Sequence, residues 1–159
     1  MSKNFEPDEE IQKIAEAYAL DAIDFASQQY GITLDWSDAS VADVETILGR
    51  LHRSKPKDES SEDMVVMFSK MLGSYIGEVY RRNHGGDWGM VTLGGKRFAG
   101  MSASGRDELF WPWGKVRDRL ENGDEDNVWH YYKGLTGAWS QEPWIVRLIR
   151  YLIRRLGLR

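Results

Sequence analysis

The residues best suited to chemistry stand in one short stretch of the chain, at Glu78, Arg81, Arg82 and His84. In a helix, side chains three and four positions apart lie on neighbouring faces, so the carboxylate can pair with both guanidinium groups, for roughly 0.2–0.5 kcal/mol. The same residues can also form a buried polar network or an anion site. A third interpretation is an enzyme of unfamiliar type around Glu78, Arg82 and His84, with the imidazole as general base. The sequence favours a structural role, with His84 at a helix end.

No other motif has the spacing of a known catalytic or metal site. The histidines are far apart in the sequence, at His52, His84 and His130. The Gly-Gly-Lys-Arg run at 94–97 lacks the spacing of a phosphate loop and is typical of a hairpin turn. The acidic run at 124–126 lacks the spacing of a calcium loop, and helix capping by Asp124 or Asp126 explains it better. We therefore predict no catalytic residue, no metal and no cofactor.

Aromatic side chains are abundant, and some of them are expected at the surface. The chain has seven Trp and seven Tyr residues. Most should fill the core between a thin sheet and its helices, but alternation along a strand sends Phe110 and Trp111 to opposite faces. An exposed tryptophan patch is typical of a partner or small-ligand surface. The candidates for partner contact are Trp88, Trp111, Trp113, Asp124 and Glu125.

Charge is distributed unevenly between the body of the chain and residues 143–159. The chain has a net charge of −4, and this last segment has five arginines and no acid, which leaves −9 for residues 1–142. An acidic body repels nucleic acid and favours a basic protein partner. The last segment predicts a basic amphipathic helix whose polar face presents Arg147, Arg150, Arg154 and Arg155. We expect this helix to dock on the domain; an anionic membrane surface and a groove on another protein are the alternatives.

Helices and a small sheet must position these residues. Apolar residues recur at helical spacing in three N-terminal segments, at 8–30, 41–51 and 64–79. The period then changes to two, which predicts an antiparallel meander of three strands at 89–93, 96–101 and 108–111. Two short helices are expected at 113–120 and 126–133. The predicted class is α+β, with residues 1–142 as a single domain.

Two glycines, Gly73 and Gly77, lie four positions apart in the third predicted helix. Glycine in a helix interior costs about 1 kcal/mol relative to alanine. Their missing side chains would let another element approach closely, so we predict that this helix face is tightly packed.

Residues 72–88 have the pattern Leu-Gly-x-Tyr-x-Gly-Glu-x-x-Arg-Arg-Asn-x-Gly-Gly-x-Trp. This pattern resembles that of an uncharacterised bacterial family of unknown function. A weaker likeness extends to residues 34–37, 111–117 and 120–123, so the resemblance covers roughly residues 10–135 and excludes the basic segment. It implies a small cytoplasmic bacterial domain, and it brings no catalytic residues with it.

These observations favour a non-enzymatic, macromolecule-binding protein, of the kind found among immunity-like or accessory factors for another bacterial protein. The alternatives are a peripheral membrane-associated adaptor that uses the basic helix, and the unfamiliar enzyme described above. The chain has no Cys, which fits a reducing compartment. Its first ten residues lack the basic and apolar regions of a signal peptide, so a cytoplasmic location is expected.

Overall fold

The computed structural model describes residues 4–103 and 108–137. Within these residues the chain begins with a short strand and three helices: β1 (Asn4–Pro7), α1 (Glu9–Tyr30), α2 (Ser40–Ser54) and α3 (Glu62–His84). Three strands follow: β2 (Asp87–Leu93), β3 (Lys96–Ser102) and β4 (Leu109–Phe110). Two helices come last: α4 (Pro112–Asn122) and α5 (Val128–Leu135). The predicted α+β class is confirmed.

The four strands form one antiparallel sheet in the order β1-β2-β3-β4. The prediction of three strands was wrong by one, because β1 pairs with β2 from Asn4 opposite Thr92 to Pro7 opposite Gly89. A four-residue strand that ends in proline has no alternating pattern of its own, so only pairing with β2 reveals it. Between β2 and β3, Gly94 and Gly95 form the two-residue turn, both with positive φ, as such hairpins require.

The long helix α3 forms the centre of the fold, and its residues 71–80 are all buried. Helix α1 packs along it through a stripe of alanines, whose small side chains allow close approach: Ala15, Ala19, Ala22 and Ala26. Helix α4 packs on α3 as well, and α2 packs on α4 and α5. The sheet lies against one side of α3, where Trp88 and Met101 are buried.

Side-chain hydrogen bonds explain where α1 and α5 begin. The Asp8 carboxylate accepts from the backbone N–H groups of Glu10 and Ile11, which caps α1. Helix α5 is capped by the Asn127 side chain, which accepts from His130 N at 2.9 Å. The expected cap from Asp124 or Asp126 was wrong, because these acids form a separate turn of 3-10 helix before Asn127.

Two predicted features fall outside the described residues. The turn at 102–105 is only partly described, and the basic helix at 143–159 lies beyond the described part of the chain. Within residues 4–103 and 108–137, no helix is long and apolar enough to cross a membrane.

Candidate functional site

Glu78 lies on α3 at the interface with the sheet, and none of its side chain is exposed. Its Oε1 accepts hydrogen bonds from Trp88 Nε1 and Arg81 Nε, both at 2.9 Å. Its Oε2 accepts from Arg81 Nη2 at 2.8 Å and from Arg82 Nε at 3.4 Å. We call these four residues the Glu78 cluster. Both carboxylate oxygens are fully engaged with protein donors.

Electrostatics keep this buried carboxylate ionised. Burial raises the pKa of Glu78, but the hydrogen bonds from Arg81 and Trp88 outweigh that effect and hold the pKa below its ordinary value. The hydrogen bond with Glu78 raises the pKa of the Arg81 guanidinium. A carboxylate that is ionised, enclosed and fully partnered offers no proton and no free lone pair to a substrate. The hydrogen bond from Trp88 to this carboxylate links β2 to α3.

Arg82 extends the cluster to the loop between α1 and α2. Its guanidinium lies 3.6 Å from the centre of the Trp36 ring, which stacks on Tyr75 at 5.1 Å. The Tyr75 hydroxyl accepts from Trp36 N at 3.0 Å and lies 2.7 Å from Ser40 Oγ. Trp36 has a φ of 66°, a left-handed conformation that is costly for a residue with a side chain. The stacked rings and hydrogen bonds hold it there.

A second polar group, the Asp38 cluster, lies at the C-terminal end of α3. Asp38 Oδ2 is 2.9 Å from His84 Nε2, and Oδ1 accepts from Asn83 Nδ2 at 3.2 Å and from the Tyr132 hydroxyl. Burial raises the pKa of Asp38, but these bonds outweigh it and lower the pKa overall. His84 therefore lies beside Asp38 rather than facing Glu78. Of the three residues of the hypothetical enzyme site, Glu78 and Arg82 are hydrogen-bonded to each other, whereas the His84 imidazole is hydrogen-bonded to Asp38.

Three of the four glycines of residues 72–88 are explained by close contacts. A Cβ built on Gly77 would lie 2.2 Å from Trp88 Cζ2, and one on Gly73 would lie 2.9 Å from Pro112 O. Gly86 has a φ of 112°, and a Cβ there would lie 2.5 Å from Ser102 O. The motif thus joins α3 to the sheet and to the start of α4.

No family model matches the chain, and neither a curated protein nor a solved structure matches it. The resemblance to the bacterial family stays a prediction.

The five candidates for partner contact lie in three different environments. Trp88 is 1% exposed, so it presents no surface to a partner. Trp113 is half-buried and donates from Nε1 to Ser74 Oγ at 2.7 Å, while Trp111 is half-buried beside β3. Asp124 and Glu125 are exposed in the turn before α5. The structure does not bring these five residues together.

Sequence reasoning missed a buried ion pair between α2 and α4. Arg119 is 2% exposed and donates from Nε to Glu45 Oε1 at 2.7 Å. Glu45 Oε2 accepts from the backbone N–H of Val128, and Arg119 Nη2 donates to Asp124 at 3.0 Å. Arg119 Nη1 has no partner among the described residues. The partners are 74 positions apart, so no local spacing indicates the pair.

The described residues contain no group of three or more acidic or histidine side chains placed to bind a metal. They do contain an open groove of about 560 Å³, lined by Leu93, Arg97, Phe98, Ala99, Trp111, Trp113 and Gly114. We call it the edge groove, because it lies beside the part of β3 that does not pair with β4. Phe98 is 44% exposed at its rim, a role that the alternating pattern of β3 did not reveal. The groove unites Trp111 and Trp113, two of the predicted contact residues.

Proposed function

We propose that this protein is a non-enzymatic, protein-binding module of the accessory or immunity type that acts in the cytoplasm. Its binding surface is the edge groove. The observation that carries the proposal is the exposure of Phe98 beside two half-buried tryptophans in a groove whose lining is apolar except for Arg97. Aromatic residues and arginine are enriched among those that supply most of the binding energy at protein interfaces.

The state of the polar residues supports a binding role rather than catalysis. In the Glu78 cluster, the carboxylate is enclosed and has hydrogen-bond donors on both oxygens. In the Asp38 cluster, three side chains from α3 and α5 are directed at one carboxylate. These interactions hold the helices together. The edge groove, by contrast, is a concave surface that exposes apolar side chains, as binding sites do.

Site-specific photocrosslinking in the native cell tests the proposal. A photoreactive benzoylphenylalanine replaces Phe98 in the full chain, and a matched control places it at Leu20, which is 57% exposed on α1. We expect a crosslinked protein of defined mass at position 98 and none at position 20. The purified partner should then bind Phe98→Ser at least about tenfold more weakly than the natural chain, since exposed aromatic anchors dominate such interfaces.

Equal crosslinking at both positions, or none at position 98, would contradict the assignment of the groove. Turnover of a small molecule that is abolished by Glu78→Gln in a folded protein would favour the enzyme instead. Circular dichroism and a thermal melt of each variant establish that the fold is retained.

A further inference from the structure

We propose that the edge groove binds an extended segment of a partner protein as an added β-strand, with apolar side chains toward Phe98 and an acidic side chain toward Arg97. This inference rests on the proposed binding function and specifies how the partner is recognised. Strand addition to an open sheet edge combines backbone hydrogen bonds with side-chain pockets at alternate positions.

The sheet has an open edge along the first half of β3. Strand β4 pairs with β3 only through Met101 opposite Phe110 and Ser102 opposite Leu109. The next position in the same register would place Pro112 opposite Ala99, and proline has no N–H to donate. Helix α4 begins at this proline, so the chain does not continue as a strand along β3, although α4 contacts β3. Residues 96–100 therefore have β2 on one side and no strand on the other within the described part of the chain.

The direction of the backbone groups along this edge follows from the hairpin. Leu93 and Lys96 face each other across a two-residue turn, so they form a hydrogen-bonded pair. From Lys96 onward, the N–H and C=O groups of successive β3 residues point alternately toward β2 and away from it. Arg97 and Ala99 then direct their N–H and C=O groups away from β2. The contact between Ala103 N and Glu108 O, at 2.9 Å, continues the same alternation on the β4 side. Among the described residues, β4 does not pair with Arg97 or Ala99, so an incoming strand would meet the outward N–H and C=O groups of these two residues.

The two tryptophans of the groove lie on opposite faces of the sheet. A Cβ on Gly100 would lie 3.2 Å from Trp111 Cδ1, and Phe98 shares that outer face because it is two residues away. On the inner face the Trp113 ring lies 5.9 Å from that of Trp88. Alternate side chains of an added strand would therefore contact Phe98 and Trp111 on one face, and Trp113 on the other.

The positive charge at the open end of β3 favours an acidic segment as the added strand. Lys96 and Arg97 are exposed at the open end of β3, and the ion pair of Arg97 with Glu6 is long, at 3.7 Å, with both side chains mostly exposed. Such a pair contributes little, so Arg97 can exchange it for a partner carboxylate. A second copy of this chain would bring like charges together at the edge, as edge cations do in proteins that resist self-pairing. Residues 143–159, with five arginines and no acid, have the wrong charge.

The probe is a displayed library of random peptides of about ten residues, the upper length of common strands. Peptides selected on the full-length protein are then synthesised and their affinities measured. We expect a shared pattern of apolar residues at alternate positions with one acidic residue. Phe98→Ser should weaken binding at least about tenfold, and the control Leu20→Ser less than about twofold. Arg97→Glu should weaken the binding of the acidic peptides and strengthen the binding of peptides that have lysine in place of the acidic residue.

Methylation of successive peptide N–H groups tests the strand geometry itself. Successive N–H groups of a bound strand point alternately toward β3 and toward solvent. Methylation should therefore weaken the affinity of the peptide at least about tenfold at one position and less than about twofold at the next. Peptides that depend on Phe98 but show no alternation would overturn strand addition and leave the binding groove in place. A library that yields no peptide sensitive to Phe98→Ser would overturn both proposals.

Discussion

The indole N–H of Trp88 donates a 2.9 Å hydrogen bond to Glu78 Oε1, and neither side chain is more than 1% exposed. This bond fixes the ring against α3 at the position where Gly77 leaves room for it. It joins the first long strand of the sheet to the central helix. The carboxylate that looked most like a catalytic group therefore serves as an anchor for a tryptophan.

Glu78→Gln should destabilise the protein by about 2–3 kcal/mol, because it removes the buried, more closely held of the two carboxylates that pair with the half-buried Arg81. The folded-state pKa of Glu78 lies below its ordinary value of 4.5, so the contribution of the charge is complete above that pH. It is lost as the pH falls through the folded-state pKa. Urea unfolding as a function of pH should show the gap between the two proteins closing in acid.

Glu16→Gln is the matched control, since Glu16 is the second carboxylate beside Arg81, at 3.4 Å and 39% exposed. It should cost less than about 0.5 kcal/mol. Equal effects of the two substitutions would show that Glu78 has no special role.

Gly77→Ala should cost about 2–3 kcal/mol despite the better helix propensity of alanine, because the new Cβ meets a ring that its hydrogen bond holds in place. Gly73→Ala should behave similarly, since its Cβ meets the backbone of Pro112 and Trp113 at 2.9 Å. Gly114→Ala is the control, with its nearest contact at 3.6 Å. It should be neutral or stabilise α4 by up to about 1 kcal/mol. Chemical denaturation distinguishes these outcomes, and a neutral Gly77→Ala would remove the close-packing argument.

The left-handed backbone at Trp36 predicts an unusual order of stability between two truncations. Trp36→Gly and Trp36→Ala both remove the ring that lies between Arg82 and Tyr75. Glycine adopts a φ of 66° without strain, whereas alanine does not. We expect the glycine variant to be more stable than the alanine variant by about 0.5–1 kcal/mol, as measured by thermal melts. The reverse order would mean that the loop relaxes once the ring is gone.

Tyr132→Phe should make the protein less sensitive to alkali. Burial raises the pKa of the Tyr132 phenol above its ordinary value of 10.0, and its bond to Asp38 raises it further. Below pH 10 the hydroxyl is protonated in both folded and unfolded chains, so its stabilising effect is complete. Above that pH the unfolded chain ionises more readily than the folded chain, and stability falls by up to about 1.4 kcal/mol per pH unit.

The phenylalanine variant lacks this ionisation, although it should lose about 1 kcal/mol at neutral pH with the hydrogen bond. Unfolding free energies measured between pH 9 and pH 11 test the difference in slope. If the unfolding free energies of the two proteins fell with the same slope, the pKa of Tyr132 would not be raised by folding.

The basic segment 143–159 stays a prediction, and its removal is informative. If it forms an amphipathic helix that docks on the domain, truncation after Gln141 should expose apolar surface, lower solubility and increase the binding of a hydrophobic dye. The full-length chain provides the comparison. An equally stable truncated protein that has lost affinity for anionic vesicles would replace docking with membrane attachment.

Local sequence patterns were sufficient for most of the helices and the hairpin. The helical period of α1 was clear because it buries one continuous face. Helix α3 was marked by a long apolar run that ends before two glycines, and paired glycines marked the turn between β2 and β3. Strand β1 was missed since the strand with which it pairs lies more than eighty positions away. The Glu78–Arg81 pair was found because it is local, whereas Glu45–Arg119 was not.

By itself, the sequence determined the α+β class, the position of the central helix and the polar residues near the C-terminal end of that helix. Those properties depend on periods, caps and turn residues, which act over a few positions. Only the tertiary structure decided that Glu78 faces Trp88, that His84 faces Asp38, and that Pro112 leaves the edge of β3 open beside Phe98. Each of these depends on which faces of distant elements meet, and that is set by the packing of the whole core.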